Sequence, residues 1–129
     1  MSKTKVTRRT TKMPLYEGII VVTEIVDHLE NSPTINKFDV KHELEHENGW
    51  DFVSGTVIVT SDNKTHIIFR RSDMRPGVVV HECFHALTRI CKDLGIKYDP
   101  DNDEPMAYML TWLVDEVYRT IAKDEKASK

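Results

Sequence analysis

The chain has 129 residues, a formal net charge of −3, 40% hydrophobic and 30% charged residues. That length is near the commonest size for one domain, and the composition suits a buried core under a solvated surface. The near-balanced charge excludes a polycation built throughout for nucleic acid, and the longest apolar run, Gly18–Val22, is far too short to span a bilayer. No apolar leader follows the early lysines and arginines, so no secretory signal is read. Cys83 and Cys91 are eight residues apart. On one helix that is about 12 Å, beyond the roughly 7 Å Cα reach of a disulfide. Two free thiols point to a cytoplasmic protein.

Residues 1–13, "MSKTKVTRRTTKM", are polar, basic and aperiodic, and read as a flexible basic arm. Lys3, Lys5, Arg8, Arg9 and Lys12 offer a weak, non-specific contact to nucleic-acid phosphate, without the interleaved aromatics that base stacking needs. Residues 14–123 read as a single domain and 124–129 as a frayed tail. Over 15–30, Ile19, Val22, Val26 and Leu29 recur at helical spacing opposite Glu17, Glu24 and Asp27, which predicts a helix stopped by Asn31-Ser32-Pro33.

From 37 to 71 the period falls to two. "KFDVKHELEH", "FVSGTVIVT" and "THIIFRR", separated by turn residues, predict a three-stranded antiparallel meander. Pro76 and Gly95 bracket a helix over 76–94 with Val80, Phe84, Leu87, Cys91 and Leu94 as its core stripe. A last helix, about 103–123, carries Met106, Leu110, Leu113, Val117 and Ile121 on one face. The expected fold class is α+β: an N-terminal helix, a three-stranded antiparallel sheet, and two further helices.

Two stretches fit H-E-x-x-H: "HELEH" at 42–46 and "HECFH" at 81–85. The pattern can hold a metal only on a helix, where residues i and i+4 share a face and both imidazoles reach one ion. "HELEH" lies in the alternating stretch, where a strand would separate its histidines by roughly 13 Å. It reads as a solvated strand, with His66 on a neighbouring strand as its one conceivable co-ligand. "HECFH" lies inside the helix, so His81 and His85 read as metal ligands and Glu82 as a general base beside the ion.

A catalytic zinc takes three protein ligands and keeps one position open. Glu104, 18 residues beyond His85, opens the next helix and is the expected third ligand. Its bland alternative is a first-turn acid favoured by the helix dipole. His81-Glu82-Cys83-Phe84-His85 followed by Glu104 resembles the gluzincin group of zinc metallopeptidases. "DEPMAYMLTWL" resembles the ligand helix of small ImmA/IrrE-type peptidases, and the element order is similar to the minimal zincin scaffold of minigluzincins and SprT-type domains. Cys83 and Phe84 stand where ImmA-type chains commonly carry Leu-Gly. The resemblance implies a zincin-like fold, a Zn²⁺ cofactor, a peptide or protein substrate and hydrolysis of peptide bonds.

An anion-stabilising donor is also required. Tyr108, on the face of Glu104, is the first candidate, with Tyr98 and His66 as others. Asp99, Asp101, Asp103 and Asp115 are candidates to orient a ligand imidazole. The competing reading is a zinc-containing, non-catalytic regulatory protein of phage or accessory-element type acting through a protein partner. Glu82, idle in a purely structural site, favours chemistry.

Overall fold

The computed structural model describes residues 5–14, 16–38 and 54–127. Its first departure from expectation is at Ile20–Val26, which forms a β-strand (β2) where a helix over 15–30 was expected. Six of its seven residues are β-branched, and such side chains pack well on a pleated surface while losing rotamer freedom in a helix. Val21 to Val26 are all buried. A strand covered on both faces reads as an unbroken apolar run, and every third or fourth residue of that run imitates a helical stripe.

The basic segment read as a flexible arm supplies an edge strand, β1 (Val6–Lys12), antiparallel to β2 with Val6 opposite Val26. Its cations serve the fold. Lys5 pairs with Asp124, Arg8 with the buried Glu24 and Arg9 with Glu116. A 3-10 turn at Leu29–Asn31 leads into a short helix, α1 (Pro33–Phe38).

A hairpin follows, β3 (Gly55–Val59) against β4 (Lys64–Arg70), antiparallel with Gly55 opposite Phe69. Asn63 in its turn takes φ +62°, a conformation asparagine tolerates. β4 lies parallel to β2, so the sheet is mixed and four-stranded in the order β1-β2-β4-β3, not a three-stranded meander. The strand expected over 37–46 falls outside the described residues except for Lys37 and Phe38, which close α1.

The two long helices are α2 (Pro76–Leu94) and α3 (Glu104–Ala127). Pro76 sits in the first turn of α2, and Gly95 ends it at φ 73°, its N–H bonding back to Cys91 and Lys92 carbonyls. The bounds match expectation, but the buried face does not. Val79, Cys83, Ala86, Leu87, Ile90 and Cys91 are buried, while Val80 and Phe84 are 46% and 52% exposed. Leu87 and Cys91 belong to both sets, and the buried face is turned from the expected stripe by roughly 60° of helix rotation. In α3, Met109, Leu113 and Val117 are buried, with Met106, Leu110 and Ile121 at the margin. The helix runs past 123, and Asp124 is buried and bonded, so residues 124–127 are not a frayed tail.

Both long helices pack on one face of the sheet around Val21, Val57, Ile67 and Phe69. A smaller cluster of Val26, Leu29, Ile35, Ile58 and Ile68 covers the other face. Cys83 and Cys91 are free and buried, and burial pushes the Cys83 thiol up to about 12. Among the described residues no helix is long and apolar enough to cross a membrane.

Candidate metal centre and its cleft

One turn of α2 does two jobs. Its sheet-facing side buries Glu82 and Cys83, and its outer side leaves His81 and His85 exposed. The i, i+4 spacing stacks the two rings edge to face with centroids 4.7 Å apart and Nε2 atoms 3.1 Å apart. Two nitrogens at ordinary zinc distances on tetrahedral positions would be separated by about 3.3 Å. The pair therefore fits one ion. Ligand-capable atoms of His81, Glu82 and His85 lie within 4.8 Å of one another, the group of this kind found among the described residues.

Glu82 is 5% exposed because α2 lies close over β3 at Gly55. A Cβ at residue 55 would stand 2.9 Å from Glu82 Cγ and 3.1 Å from the Ile68 carbonyl oxygen. Only glycine permits that approach without displacement. Burial pushes the Glu82 carboxyl above its ordinary value, and the neighbouring imidazoles of His81 and His85 oppose that shift. A carboxyl whose proton affinity is raised beside an exposed imidazole pair is suited to taking up and returning a proton.

An open cleft of about 660 Å³ runs along α2 from Arg75 past His81 and His85 to Arg89, with Gly55 and Thr56 of β3 as its far wall. Several residues singled out from the sequence lie elsewhere. Glu104 is the exposed first residue of α3, outside the His81-Glu82-His85 group. Tyr108 is 63% exposed and Tyr98 67%, and neither lines the cleft. Tyr98 borders a separate hollow with Thr88, Lys92 and Met106.

Asp99 accepts the Asp101 backbone N–H at 3.0 Å, and the Asp103 carbonyl accepts the Ala107 N–H as α3 begins. Asp115 is exposed on α3. None of these four hydrogen-bonds His81 or His85, so none orients the pair in this structure.

His66 is buried at 1% on the sheet face away from α2, so it is neither a donor at the cleft nor an exposed co-ligand. Its Nδ1 and Nε2 lie 3.0 Å from the hydroxyls of Thr34 and Thr60. Thr34 donates to Glu24, so it accepts from the Nδ1–H of His66. Ser32 also donates to Glu24, which leaves this wholly buried carboxylate well satisfied. His42 and His46 of "HELEH" lie outside the described residues.

Sequence reasoning missed several cleft residues, Arg75, Gly55 and Arg89 among them. Arg89 stands four residues beyond His85, continuing the His81–His85 row by one more turn, and that spacing was available to find it. Gly55 is a glycine inside a strand, which signals close approach but not what approaches. The chain matches no protein-family model, no curated protein and no solved structure.

Proposed function

We propose that this protein is a small zinc-dependent metallopeptidase with its centre on α2. The observation that carries the reading is the pair of imidazole Nε2 atoms 3.1 Å apart on one exposed turn, with a buried carboxyl one residue away at the cleft wall. Zinc bound there would lower the pKa of a water to about 7 and polarise a peptide carbonyl.

His81 and His85 would hold the ion through Nε2, and the helix backbone holds their spacing. Glu82 takes a proton from the attacking water and returns it to the departing amine, a transfer that its raised proton affinity assists. Glu104 completes the ligand set in this reading, which requires its carboxylate to leave solvent. Peptide lies extended along β3, which ends the sheet and has only β4 beside it among the described residues.

A second reading has its own observation. Glu82, not Glu104, belongs to the compact group with the histidines. Were Glu82 a ligand, the centre would be catalytically idle and the protein would act through a partner.

Zinc content of wild type, Glu82→Gln, Glu104→Ala and the double variant His81→Ala/His85→Ala separates these readings, alongside cleavage of a mixed protein library. The peptidase reading expects Glu82→Gln to keep its metal and to lose cleavage by about 10²–10⁴-fold. Metal lost from Glu82→Gln supports the idle centre. Full zinc in the double histidine variant would overturn both.

A further inference from the structure

The chain has seven arginines, all among the described residues. Five are held in ion pairs: Arg8 with Glu24, Arg9 and Arg119 with Glu116, Arg70 with Asp73, and Arg71 with Asp27 and Asp124. The other two, Arg75 and Arg89, are the two that line the cleft. Arg89 has no hydrogen bond or ion pair with any described residue, and Arg75 acts only through its field on Asp73. In a chain with three more acids than bases, two exposed guanidinium groups in one hollow without ion-pair partners among the described residues are a feature to explain.

Their placement is ordered. Arg89 follows His85 by four residues, so it stands on the same side of α2 about 6 Å further along the axis. Arg75 precedes His81 by six residues, about 9 Å in the other direction. The histidine pair thus lies between one cation on α2 and another at the residue that caps its start. The cleft's acid, Glu82, is buried at its wall and is ion-paired to neither arginine. A guanidinium carries five donors in a fork that matches a carboxylate, which makes it the group suited to selecting one.

We propose that the cleft between β3 and α2 takes an acidic peptide, with Arg89 and Arg75 gripping side-chain carboxylates on either side of the segment laid over His81 and His85. This deepens the peptidase reading by naming its substrate class, but recognition through the two arginines needs no metal. An extended peptide advances about 3.3 Å per residue. Arg75 and Arg89 are 14 residues apart, about 21 Å of helix rise, so the two carboxylates flank the central residue by about three positions.

The test is fluorescence polarisation of the full chain with a fluorescein-labelled nonapeptide carrying Glu three residues either side of its centre. Comparison probes are its Gln counterpart, a C-terminally amidated form and a single-stranded oligonucleotide. Each is titrated with zinc and with chelator, against wild type, Arg89→Gln, Arg75→Gln, Arg89→Lys and the double histidine variant.

The Glu peptide should bind at least about 10-fold tighter than the Gln peptide, and each Arg→Gln change should weaken it about 5–20-fold. Arg89→Lys should fall between, because it keeps the charge and loses the fork. The Glu preference should persist with chelator and in the double histidine variant, so its survival or loss is independent of the zinc experiment. Equal binding of Glu and Gln peptides overturns the proposal, as does full affinity in both Arg→Gln variants. Dependence on the free C-terminus alone would show the terminal carboxylate to be the ligand. Tighter binding of the oligonucleotide would replace the acidic peptide with nucleic-acid phosphate.

Discussion

Gly55 shows how one residue can decide whether a carboxyl is available for chemistry. Its missing side chain leaves room for Glu82 Cγ, and the nearest backbone atom, the Ile68 carbonyl oxygen, cannot yield as a flexible side chain would. Gly55→Ala should destabilise the fold by about 1–3 kcal/mol through overpacking. It should also turn the Glu82 carboxyl outward and lower its proton affinity by restoring solvation. Urea unfolding together with carboxyl titration by NMR checks both effects; an unchanged midpoint and an unchanged titration would show that β3 simply gives way. The His81–His85 pairing was legible because i, i+4 geometry is a local property of a helix. Glu82's burial was not, since it depends on a strand more than twenty residues earlier.

Elements are joined by ion pairs that join distant parts of the sequence. Arg71, just past β4, donates from Nη2 to Asp124 at 2.9 Å and from Nε at 3.0 Å, binds Asp27, and reaches the Lys5 and Ile25 carbonyls at 3.2 Å. It therefore ties the end of α3 to β1 and β2. Burial alone would raise the Asp124 carboxyl, but the Arg71 guanidinium and the Thr7 hydroxyl hold it below its ordinary value. Arg71→Ala leaves Asp124, 8% exposed, without its main partner and should cost about 2–4 kcal/mol. Amide exchange should quicken selectively in the last turns of α3; a loss under about 0.5 kcal/mol would mean that apolar packing alone seats that helix. The expectation of a frayed tail failed here because its lysine-rich composition conceals one acid with a buried destination.

At the scale of the whole molecule, stability carries the titration of buried groups. Burial holds the His66 imidazole below its ordinary value, partly opposed by Glu24. The unfolded chain then binds a proton that the native chain refuses, so stability falls as pH drops through about 6.5. Glu82, raised by burial, contributes the opposite slope, and Asp73 and Asp124, held low, lose their contribution only at more acid pH. The urea midpoint should fall between pH 7.5 and 5.5 in wild type. His66→Gln should remove most of that slope while lowering the midpoint throughout. An identical slope in the variant would assign the acid sensitivity to other groups.

What the linear chain determined is whatever depends on neighbours within a turn or two. Proline and glycine set the ends of α2, the histidine pair needs only a helix under it, and the β3–β4 hairpin follows from alternation around a turn. Tertiary structure decided the rest because burial is a property of both sides of an element. It placed Ile20–Val26 in the middle of the sheet with apolar contacts on each face, drew the basic start of the chain into an edge strand, and turned α2 so that Val79 and Cys83, not Val80 and Phe84, meet the core. It also set Glu82 against Gly55 and brought Arg75 and Arg89 into one cleft with the histidines, arrangements that residue spacing alone does not specify.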